Sequence, residues 1–558
     1  MLLLLLAGLS WPGLAQASVK DPFRATIPDT LRFAEKQLRA TANALPPTAY
    51  PSSTTPNGNW DTTGPGSWTS GFLSGSFWYM HQHTRDPSWR SRADLWQAGI
   101  ESQKLRSDEH DLGFMLLDSF GHGYRLTGND TYHQVVLTAA QSFAQRYDGR
   151  LGYVRSRGEV SDTEDFKVII DTMMNLELLF WASRHGGKRE WHDMAHQHAL
   201  KTLESHVRED GSTWQTITLD PETGTLNEQG KEQGCRWNTT WARGQAWAIY
   251  GFTVAYRETK DPRLLQAARR TADYFIRHLP SDSVPYWDLA APNIPNEPRD
   301  SSAAAIAASA LIELSQLEPQ SRSASLDWNA ARNILISLSS PVYLARHKQT
   351  RSILRHGTAY KPHGKYDTGM IAADYFFIEA LLRYSAARPP PGTRFAPAHA
   401  DAALASPPSN PDVEERPVAG DLTLSFSLRL ETLPSSGTRF LSLRSGERML
   451  GNLLMCQNGQ LQLRNGETEV SARSNALTPG QVYRVVLRQR RDGSTPFTFL
   501  EAFLAREGEP LGCPFASSRV LMPPSTPEGP HLETRPKSLN ATIEDLRLDT
   551  APPEPRRH

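Results

Sequence analysis

The chain has 558 residues, which is too long for one compact core and predicts at least two domains. Its 60 Lys and Arg residues balance 60 Asp and Glu residues, so the formal net charge is zero. A neutral chain offers no long-range field to a polyanion, which argues against DNA or RNA as a partner.

The first feature along the chain is an export signal. Residues 1–9 are almost wholly apolar, and Ala15-Gln16-Ala17 precedes Ser18. An apolar run this short, followed by Ala-x-Ala, is typical of a cleaved secretory signal and not of a membrane span. We therefore expect residues 1–17 to be a signal peptide and the protein to be periplasmic or secreted. We expect no membrane span, because no later segment has about 18 uninterrupted apolar residues.

Residues from about 25 to 386 predict one helix after another. Apolar residues recur at intervals of three and four within 128–147, 168–184, 188–207, 241–257, 261–279, 302–316 and 369–386. Turns such as Gly128-Asn129-Asp130 and Lys260-Asp261-Pro262 start new helices, which indicates a series of helical hairpins. Such a series either closes as a toroid of six hairpins or stays an open solenoid. The irregular spacing favours the toroid.

The pattern changes near Tyr384. Residues 387–420 are rich in Pro, Ala and Ser and predict a linker that includes a first edge strand. Alternation with a period of two then predicts strands within 422–428, 460–463, 483–487 and 543–548. We therefore expect a β-sandwich over residues 421–550.

Three cysteines are too few for a disulfide framework or a four-cysteine zinc site. Cys456 and Cys513 both lie in the C-terminal region and are expected to pair in an oxidising compartment, which leaves Cys235 as a buried thiol. No HExxH, CxxC or EF-hand spacing occurs, so we expect neither a metal nor a cofactor.

Four segments combine Gly, aromatic and charged residues in a way that a helical scaffold alone does not need. They are Gly66-Ser67-Trp68-Thr69-Ser70-Gly71-Phe72, His110-Asp111-Leu112-Gly113-Phe114, Asp171-Thr172-Met173-Met174-Asn175, and residues 233–247 with Gln233, Trp241, Arg243 and Trp247.

Two of these segments offer carboxyl groups for proton transfer. Asp171 lies between Val168-Ile169-Ile170 and Met173-Met174, and such apolar surroundings raise the pKa of a carboxyl group and suit it to proton donation. The alternative for both Asp171 and Asp111 is a helix cap, which would lower the pKa. Arg243 lies between two Trp residues and either clamps a carboxylate or lies over aromatic surface. Together these residue types indicate a site for an acidic sugar.

These four segments, followed by Val284-Pro285-Tyr286-Trp287-Asp288 and by residues 299–309 and 373–381, resemble the unsaturated glucuronyl hydrolase family, glycoside hydrolase family 88. The resemblance covers about residues 25–386, with the segments in the family's order. It implies a mainly α protein with an (α/α)6 barrel over residues 25–386. The smaller C-terminal sandwich resembles concanavalin or laminin-G domains in strand pattern.

The resemblance also implies a reaction. Family members remove the unsaturated uronic acid that polysaccharide lyases leave at the non-reducing end of oligosaccharides, here of glycosaminoglycan type. Protonation at C4 and addition of water at C5 of the vinyl ether produce a hemiketal that opens and releases the remaining oligosaccharide. The family's acid/base Asp falls on Asp171 and its second Asp on Asp111. Substrate-binding positions of the family fall on Trp68, Gln233, Trp241, Arg243 and Trp247, and we expect His110 and Gln215 to bind the substrate as well.

One of these positions departs from the family. A family His lies in the segment that here reads Ser212-Thr213-Trp214-Gln215-Thr216. Gln215 can form hydrogen bonds but cannot titrate, which puts a charged role at this position in doubt. The basic loop Lys361-Pro362-His363-Gly364-Lys365 either contacts a sulfate on the next sugar or is a solvated turn.

Unsaturated uronate oligosaccharides are the expected partners, and the oligomeric state is monomer or dimer. Two alternatives stay open for the function. One is an unsaturated rhamnogalacturonyl hydrolase that acts on pectin fragments. The other is a catalytically silent glycan-binding protein.

Overall fold

The computed structural model describes residues 21–163, 165–230, 233–236, 239–395, 422–435, 437–445, 448–465, 468–491, 497–509, 511–521, 530–534 and 540–550. The predicted signal peptide, residues 1–17, lies outside the described residues, as do residues 396–420 of the predicted linker. Among the helices that are described, none has the length and apolar character needed to cross a bilayer.

The N-terminal part is built from helices. They are α1 (Ile27–Ala44), α2 (Ser70–Thr84), α3 (Pro87–Ala98), a π-helical segment (Gly113–Gly121) that continues as α4 (His122–Thr127), α5 (Asp130–Ala144), α6 (Thr172–Arg184), α7 (Glu190–His206), α8 (Ala242–Thr259), α9 (Pro262–Arg277), α10 (Ser301–Leu317), α11 (Arg322–Leu338) and α12 (Ile371–Ala386).

The even-numbered helices form a closed inner ring. Helix α2 packs on the π-helical segment, which packs on α6, and the series continues through α8, α10 and α12 back to α2. The helices α3, α5, α7, α9 and α11 pack outside their ring partners, and α1 packs on α12. Six hairpins therefore close into the predicted (α/α)6 barrel.

Residue composition explains which helices lie inside. Helix α8 is buried along most of its length, and α10 has a run of alanines that lets α8 and α12 approach it closely. Outer helix α9 buries one face only. Asp86, Asn129 and Asp261 begin outer helices, and each side chain accepts a hydrogen bond from the N–H two residues ahead.

Short antiparallel sheets decorate the barrel. They are β1 (Tyr50–Thr54) with β2 (Trp60–Thr63), β3 (Tyr147–Asp148) with β4 (Tyr153–Val154), and β5 (Phe166–Ile169) with β6 (Thr216–Leu219) and β7 (Leu226–Gly230). The start of the predicted helical segment 168–184 is wrong, because its first residues belong to β5. A short apolar run of β-branched residues fits a buried strand as well as a helix.

The C-terminal part is a sandwich of two five-stranded antiparallel sheets, which confirms the predicted class. One sheet has the order β12-β11-β10-β9-β16 and the other β15-β14-β13-β8-β17. The strands are β8 (Leu422–Leu430), β9 (Thr438–Ser445), β10 (Arg448–Met455), β11 (Gln460–Asn465), β12 (Thr468–Ala476), β13 (Val482–Arg491), β14 (Phe497–Arg506), β15 (Ala516–Leu521), β16 (Pro530–Thr534) and β17 (Ala541–Thr550). Every second residue of β8 is buried, as the alternation predicts.

The predicted cysteine pairing is wrong. Cys235 of the barrel is bonded to Cys513 of the sandwich, with their Cα atoms 5.2 Å apart, and Cys456 is free. Cys456 follows β10 in one sheet, whereas Cys513 lies in the connection between β14 and β15 of the other sheet. Because the sandwich packs against the barrel, Cys513 meets a partner 278 residues away in sequence.

Candidate active site

Asp111 and Asp171 lie at the beginnings of two neighbouring inner helices. Asp111 comes just before the π-helical segment, and Asp171 comes immediately before α6. Neither of these helices has a side-chain capping hydrogen bond at its start. The N–H of Phe114 donates instead to Oδ1 of Asn175, at 3.1 Å. The helix-cap alternative is therefore wrong for both residues.

Two hydrogen bonds join the segment that carries Asp111 to the segment that follows Asp171. Nδ2 of Asn175, a fully buried residue, donates to Oδ1 of Asp111 at 2.9 Å. Nδ1 of His110 lies 2.9 Å from Oγ1 of Thr172. Residue 113 must be glycine, because a Cβ there would lie 2.7 Å from Oδ1 of Asn175. The two carboxyl groups are thus held in a fixed relation by the first turn of α6.

The environment of Asp111 favours its neutral form. Its side chain is only 12 % exposed, and this burial raises the pKa of Asp111 to about 6. The positive charge of Arg157 and the hydrogen bond from Asn175 oppose that rise in the pKa. Nε2 of His110 lies 3.5 Å from Oδ2 of the same carboxyl group. Asp111 is therefore a carboxyl group that changes charge in the weakly acidic range.

Glu109, His110 and Asp111 place three metal-ligand atoms within 4.8 Å of one another. Oε1 of Glu109 accepts the N–H groups of both His110 and Asp111, at 2.8 and 3.2 Å. Nδ1 of His110 faces Thr172. These contacts form a hydrogen-bonded turn that accounts for the cluster, and the absence of a metal stays a prediction.

Arg243 is buried and its guanidinium group is surrounded by protein acceptors. Nη1 lies 3.1 Å from Oδ2 of the buried Asp300, and Nη2 lies 3.0 Å from Oε1 of Gln233. Cζ lies 4.6 Å from the ring centroid of Trp241. Burial lowers the pKa of Arg243, and the negative charges of Asp300 and Asp171 oppose this. Arg243 therefore lies over aromatic surface, as one alternative predicted, and it also fixes the side chain of Gln233.

Gln215 joins two parts of the site. Its backbone oxygen accepts the N–H of Ile170, next to Asp171, at 2.9 Å. Its side-chain Oε1 accepts the N–H of Gln233 at 2.6 Å. An amide oxygen accepts at any pH, whereas an imidazole nitrogen accepts only when it is unprotonated. The hydrogen bond from Gln233 to Gln215 is therefore one that protonation of Gln215 cannot break.

The predicted aromatic residues differ in exposure. Trp68 is partly exposed and its ring centroid lies 5.7 Å from those of Phe72 and Phe114. Trp247 is 1 % exposed and packs between Phe114 and Phe376, with centroids 5.2 and 5.5 Å away. Trp68 thus keeps surface for a sugar ring, while Trp247 supports the site from within the core. The stacking roles stay predictions.

Sequence reasoning gave no role to three residues that build the site. Asn175 holds Asp111, Asp300 holds Arg243, and the buried Asp288 accepts the N–H of Cys235 at 2.6 Å and Oγ1–H of Thr239 at 2.7 Å. A signal was present in the spacing of Asn175, which lies one helical turn after Asp171.

The basic loop is already paired with acidic residues. Nζ of Lys361 lies 2.9 Å from Oε2 of Glu297, and Nζ of Lys365 lies 3.3 Å from Oδ2 of Asp61. The ammonium group of Lys361 also lies 4.9 Å from the ring centroid of Trp287. A sulfate would have to share these two lysines with their carboxylates, and the sulfate contact stays a prediction.

The chain is similar to known proteins over its barrel. The sequence profile of Glycosyl Hydrolase Family 88 matches residues 35–284. An unsaturated glucuronyl hydrolase of Formosa agariphila is 40% identical over 321 residues, which cover 57% of this chain and 79% of that protein. An unsaturated chondroitin disaccharide hydrolase of Streptococcus pyogenes serotype M1 is 31% identical over 385 residues, which cover 66% and 96%.

A solved structure shows the same barrel. The crystal structure of an unsaturated glucuronyl hydrolase specific for heparin superposes with a TM-score of 0.62 at 34% sequence identity. The match covers 65% of this chain and 97% of that one. The closed ring of six hairpins, the two carboxyl groups at its helix starts and these similarities agree, and the chain belongs to glycosyl hydrolase family 88.

Proposed function

We propose that this glycoside hydrolase removes the unsaturated uronic acid from the non-reducing end of lyase-generated glycosaminoglycan oligosaccharides. The observation that carries the proposal is the pair of carboxyl groups at two adjacent helix starts. Neither caps its helix, and Thr172 and Asn175 hold the two segments together. The names of the similar hydrolases support the same substrate class.

In the proposed reaction a proton is added to C4 of the vinyl ether and a water molecule supplies a hydroxyl group to C5. The C5 hemiketal then opens by breaking its bond to the ring oxygen, which leaves a ketone at C5. The hemiacetal at C1 releases the remaining oligosaccharide as an alcohol. One water molecule is consumed, and the proton that the acid donates is recovered from the water.

Each carboxyl group has its own task in this scheme. Asp171 donates the proton to C4 and then takes a proton from the attacking water. Asp111 accepts hydrogen bonds from the sugar hydroxyl groups and fixes the sugar ring. Gln233, which Arg243 and Gln215 hold by hydrogen bonds, faces the uronate. Trp68 packs against its ring.

The test is the loss of the ultraviolet absorbance of the conjugated uronic acid. Purified protein is mixed with unsaturated disaccharides from chondroitin, hyaluronan and heparin, each in sulfated and unsulfated form where both exist, and with an unsaturated rhamnogalacturonan disaccharide. We expect the absorbance to decay fastest on a glycosaminoglycan disaccharide. Fastest decay on the rhamnogalacturonan substrate would support the pectin alternative instead. Binding without decay on every substrate would support the silent glycan-binding protein.

The same panel tests the basic loop. Equal rates on sulfated and unsulfated substrates would exclude a productive sulfate contact with it.

We also propose that the protein is exported. The apolar start of the sequence supports export, and so does the Cys235–Cys513 disulfide, because disulfides persist in oxidising compartments. We expect protein recovered from the periplasm or the medium to begin at Ser18. N-terminal sequencing checks this, and an intact Met1 would contradict it.

A further inference from the structure

Residues 233–236 of the active site are held from two sides. On the barrel side, Gln233 is bonded to Gln215 and Arg243, and the N–H of Cys235 donates to Asp288. On the sandwich side, Cys235 is bonded covalently to Cys513. The segment that presents Gln233 is therefore also the point at which the two domains are joined.

A second contact at the same place shows that the disulfide lies in a packed interface. Ala502 of β14 lies in the sandwich core, so its neighbour Phe503 points to the opposite face of the sheet. Phe503 is nonetheless only 1 % exposed. Cζ of Arg236 lies 5.8 Å from its ring centroid, and Cys513 packs against the barrel core. The outer face of this sheet thus covers the segment at Cys235 and Arg236.

The sandwich also contacts the barrel at a second point. Strand β12 lies against Lys361–His363, the beginning of the basic loop. Two separate segments of the barrel, residues 235–236 and 361–363, are therefore in contact with the C-terminal domain.

We propose that the C-terminal sandwich is a working part of the active site, and that Cys513 is a positioning residue that fixes Gln233 through the Cys235–Cys513 disulfide. The inference rests on the proposed function. Its physical basis is conformational entropy: a tethered segment is ordered before the substrate arrives, whereas a released segment must be ordered during binding. The effect belongs to substrate binding, because the acid/base group Asp171 lies on a different segment of the barrel.

The test compares the Cys235→Ser/Cys513→Ser double variant with wild type and with Cys456→Ser. The double variant removes the tether without leaving one thiol to pair wrongly with Cys456, and Cys456→Ser controls for the loss of a cysteine that forms no disulfide. We expect KM for the unsaturated disaccharide to rise about tenfold in the double variant, equivalent to about 1.4 kcal/mol. We expect kcat to stay within about twofold of wild type in both variants.

Hydrogen exchange gives a readout that does not need activity. The amides of Gln233 and Cys235 should exchange faster in the double variant, while those of α6 keep the wild-type rate. If the double variant loses protection in α6 as well, it is misfolded. The comparison is then made on the wild type before and after a phosphine reduces the disulfide to two thiols.

The outcomes separate this inference from the proposed function. If the wild type is active and KM is the same with and without the disulfide, the inference is overturned, whatever the exchange rates. If the wild type degrades no unsaturated disaccharide, the proposed function fails. The same variants are then compared by calorimetric binding of an unsaturated disaccharide. A tenfold weaker Kd in the double variant supports the inference, and an equal Kd overturns it.

Discussion

The Asp171→Asn variant is expected to lose kcat by about 10³-fold on the unsaturated disaccharide while its KM stays within about threefold of wild type. Proton transfer by a positioned side chain contributes about 10²–10⁴ in rate, and the amide can neither donate a proton to C4 nor take one from water. The shape of the side chain is kept, so the ground-state contacts of the substrate remain. Initial rates of absorbance loss over a range of substrate concentrations give both constants.

The matched control for this variant is Asp327→Asn. Asp327 is a buried carboxyl group outside the site, on outer helix α11, and burial together with the charge of Asp273 raises its pKa to about 7. Its replacement tests whether the loss of any buried carboxyl group impairs the protein. We expect this control to keep the wild-type kcat. An Asp171→Asn enzyme with more than about a tenth of the wild-type kcat would remove Asp171 from the proton-transfer step.

How well the sequence predicts an element depends on how much of that element is buried. Helix α9 has one apolar and one charged face, so its period is visible in the sequence. Residues 168–170 are all apolar and buried, the first two as the end of β5, and no periodicity distinguishes that run from a helix. Among the residue patterns, only the irregular spacing of the turns suggested that the ring closes. The family resemblance implied the closed barrel, and the packing of α12 on α2 confirms it.

The candidate site was predicted as residue types but not as a network. Asp111 and Asp171 were recognisable because carboxyl groups beside apolar and glycine residues are unusual in a plain scaffold. The role of Asn175 depends on how closely α6 approaches Gly113, which is a property of packing and not of either segment alone. Asp300 likewise meets Arg243 across 57 residues of sequence.

The cysteines show the same limit most clearly. Cys456 and Cys513 are close in sequence and lie in one domain, which made their pairing the natural expectation. The choice of Cys235 instead depends on where the sandwich lies on the barrel, and nothing in the spacing of three cysteines encodes that placement. Contacts between domains are the part of this structure that periodicity and composition leave undetermined.

The Asp111→Asn variant is expected to be more stable than wild type at pH 7 and much less active. The pKa of Asp111 is about 6 in the folded protein, against 3.8 for an ordinary Asp. Between pH 4 and 6 the folded state keeps a proton that the unfolded state has released, so this group lowers the stability of the wild type as the pH rises. A pKa difference of this size corresponds to at most about 3 kcal/mol, fully present above pH 6 and absent below pH 4. An Asn at this position escapes that cost, and its amide oxygen can still accept from Nδ2 of Asn175.

Urea unfolding at pH 4 and pH 7 checks the stability, and steady-state rates check the activity. We expect the two proteins to be about equally stable at pH 4, and the variant to gain up to about 3 kcal/mol at pH 7.

The kcat/KM of the Asp111→Asn variant should fall by about 10²-fold, because each hydrogen bond from a sugar hydroxyl group to an ionised carboxylate is worth about 1.5–3 kcal/mol. Asp327→Asn should gain stability in the same direction without this loss, since its carboxyl group has a raised pKa but lies outside the site. A variant at position 111 that gained stability and kept its activity would show that the raised pKa reflects burial alone, and that the sugar hydroxyl groups are bound elsewhere. If the variant lost activity but gained no stability at pH 7, the carboxylate would already be compensated in the folded enzyme. Stability gained together with activity lost would show that the enzyme keeps a destabilising charge in place because the substrate needs it.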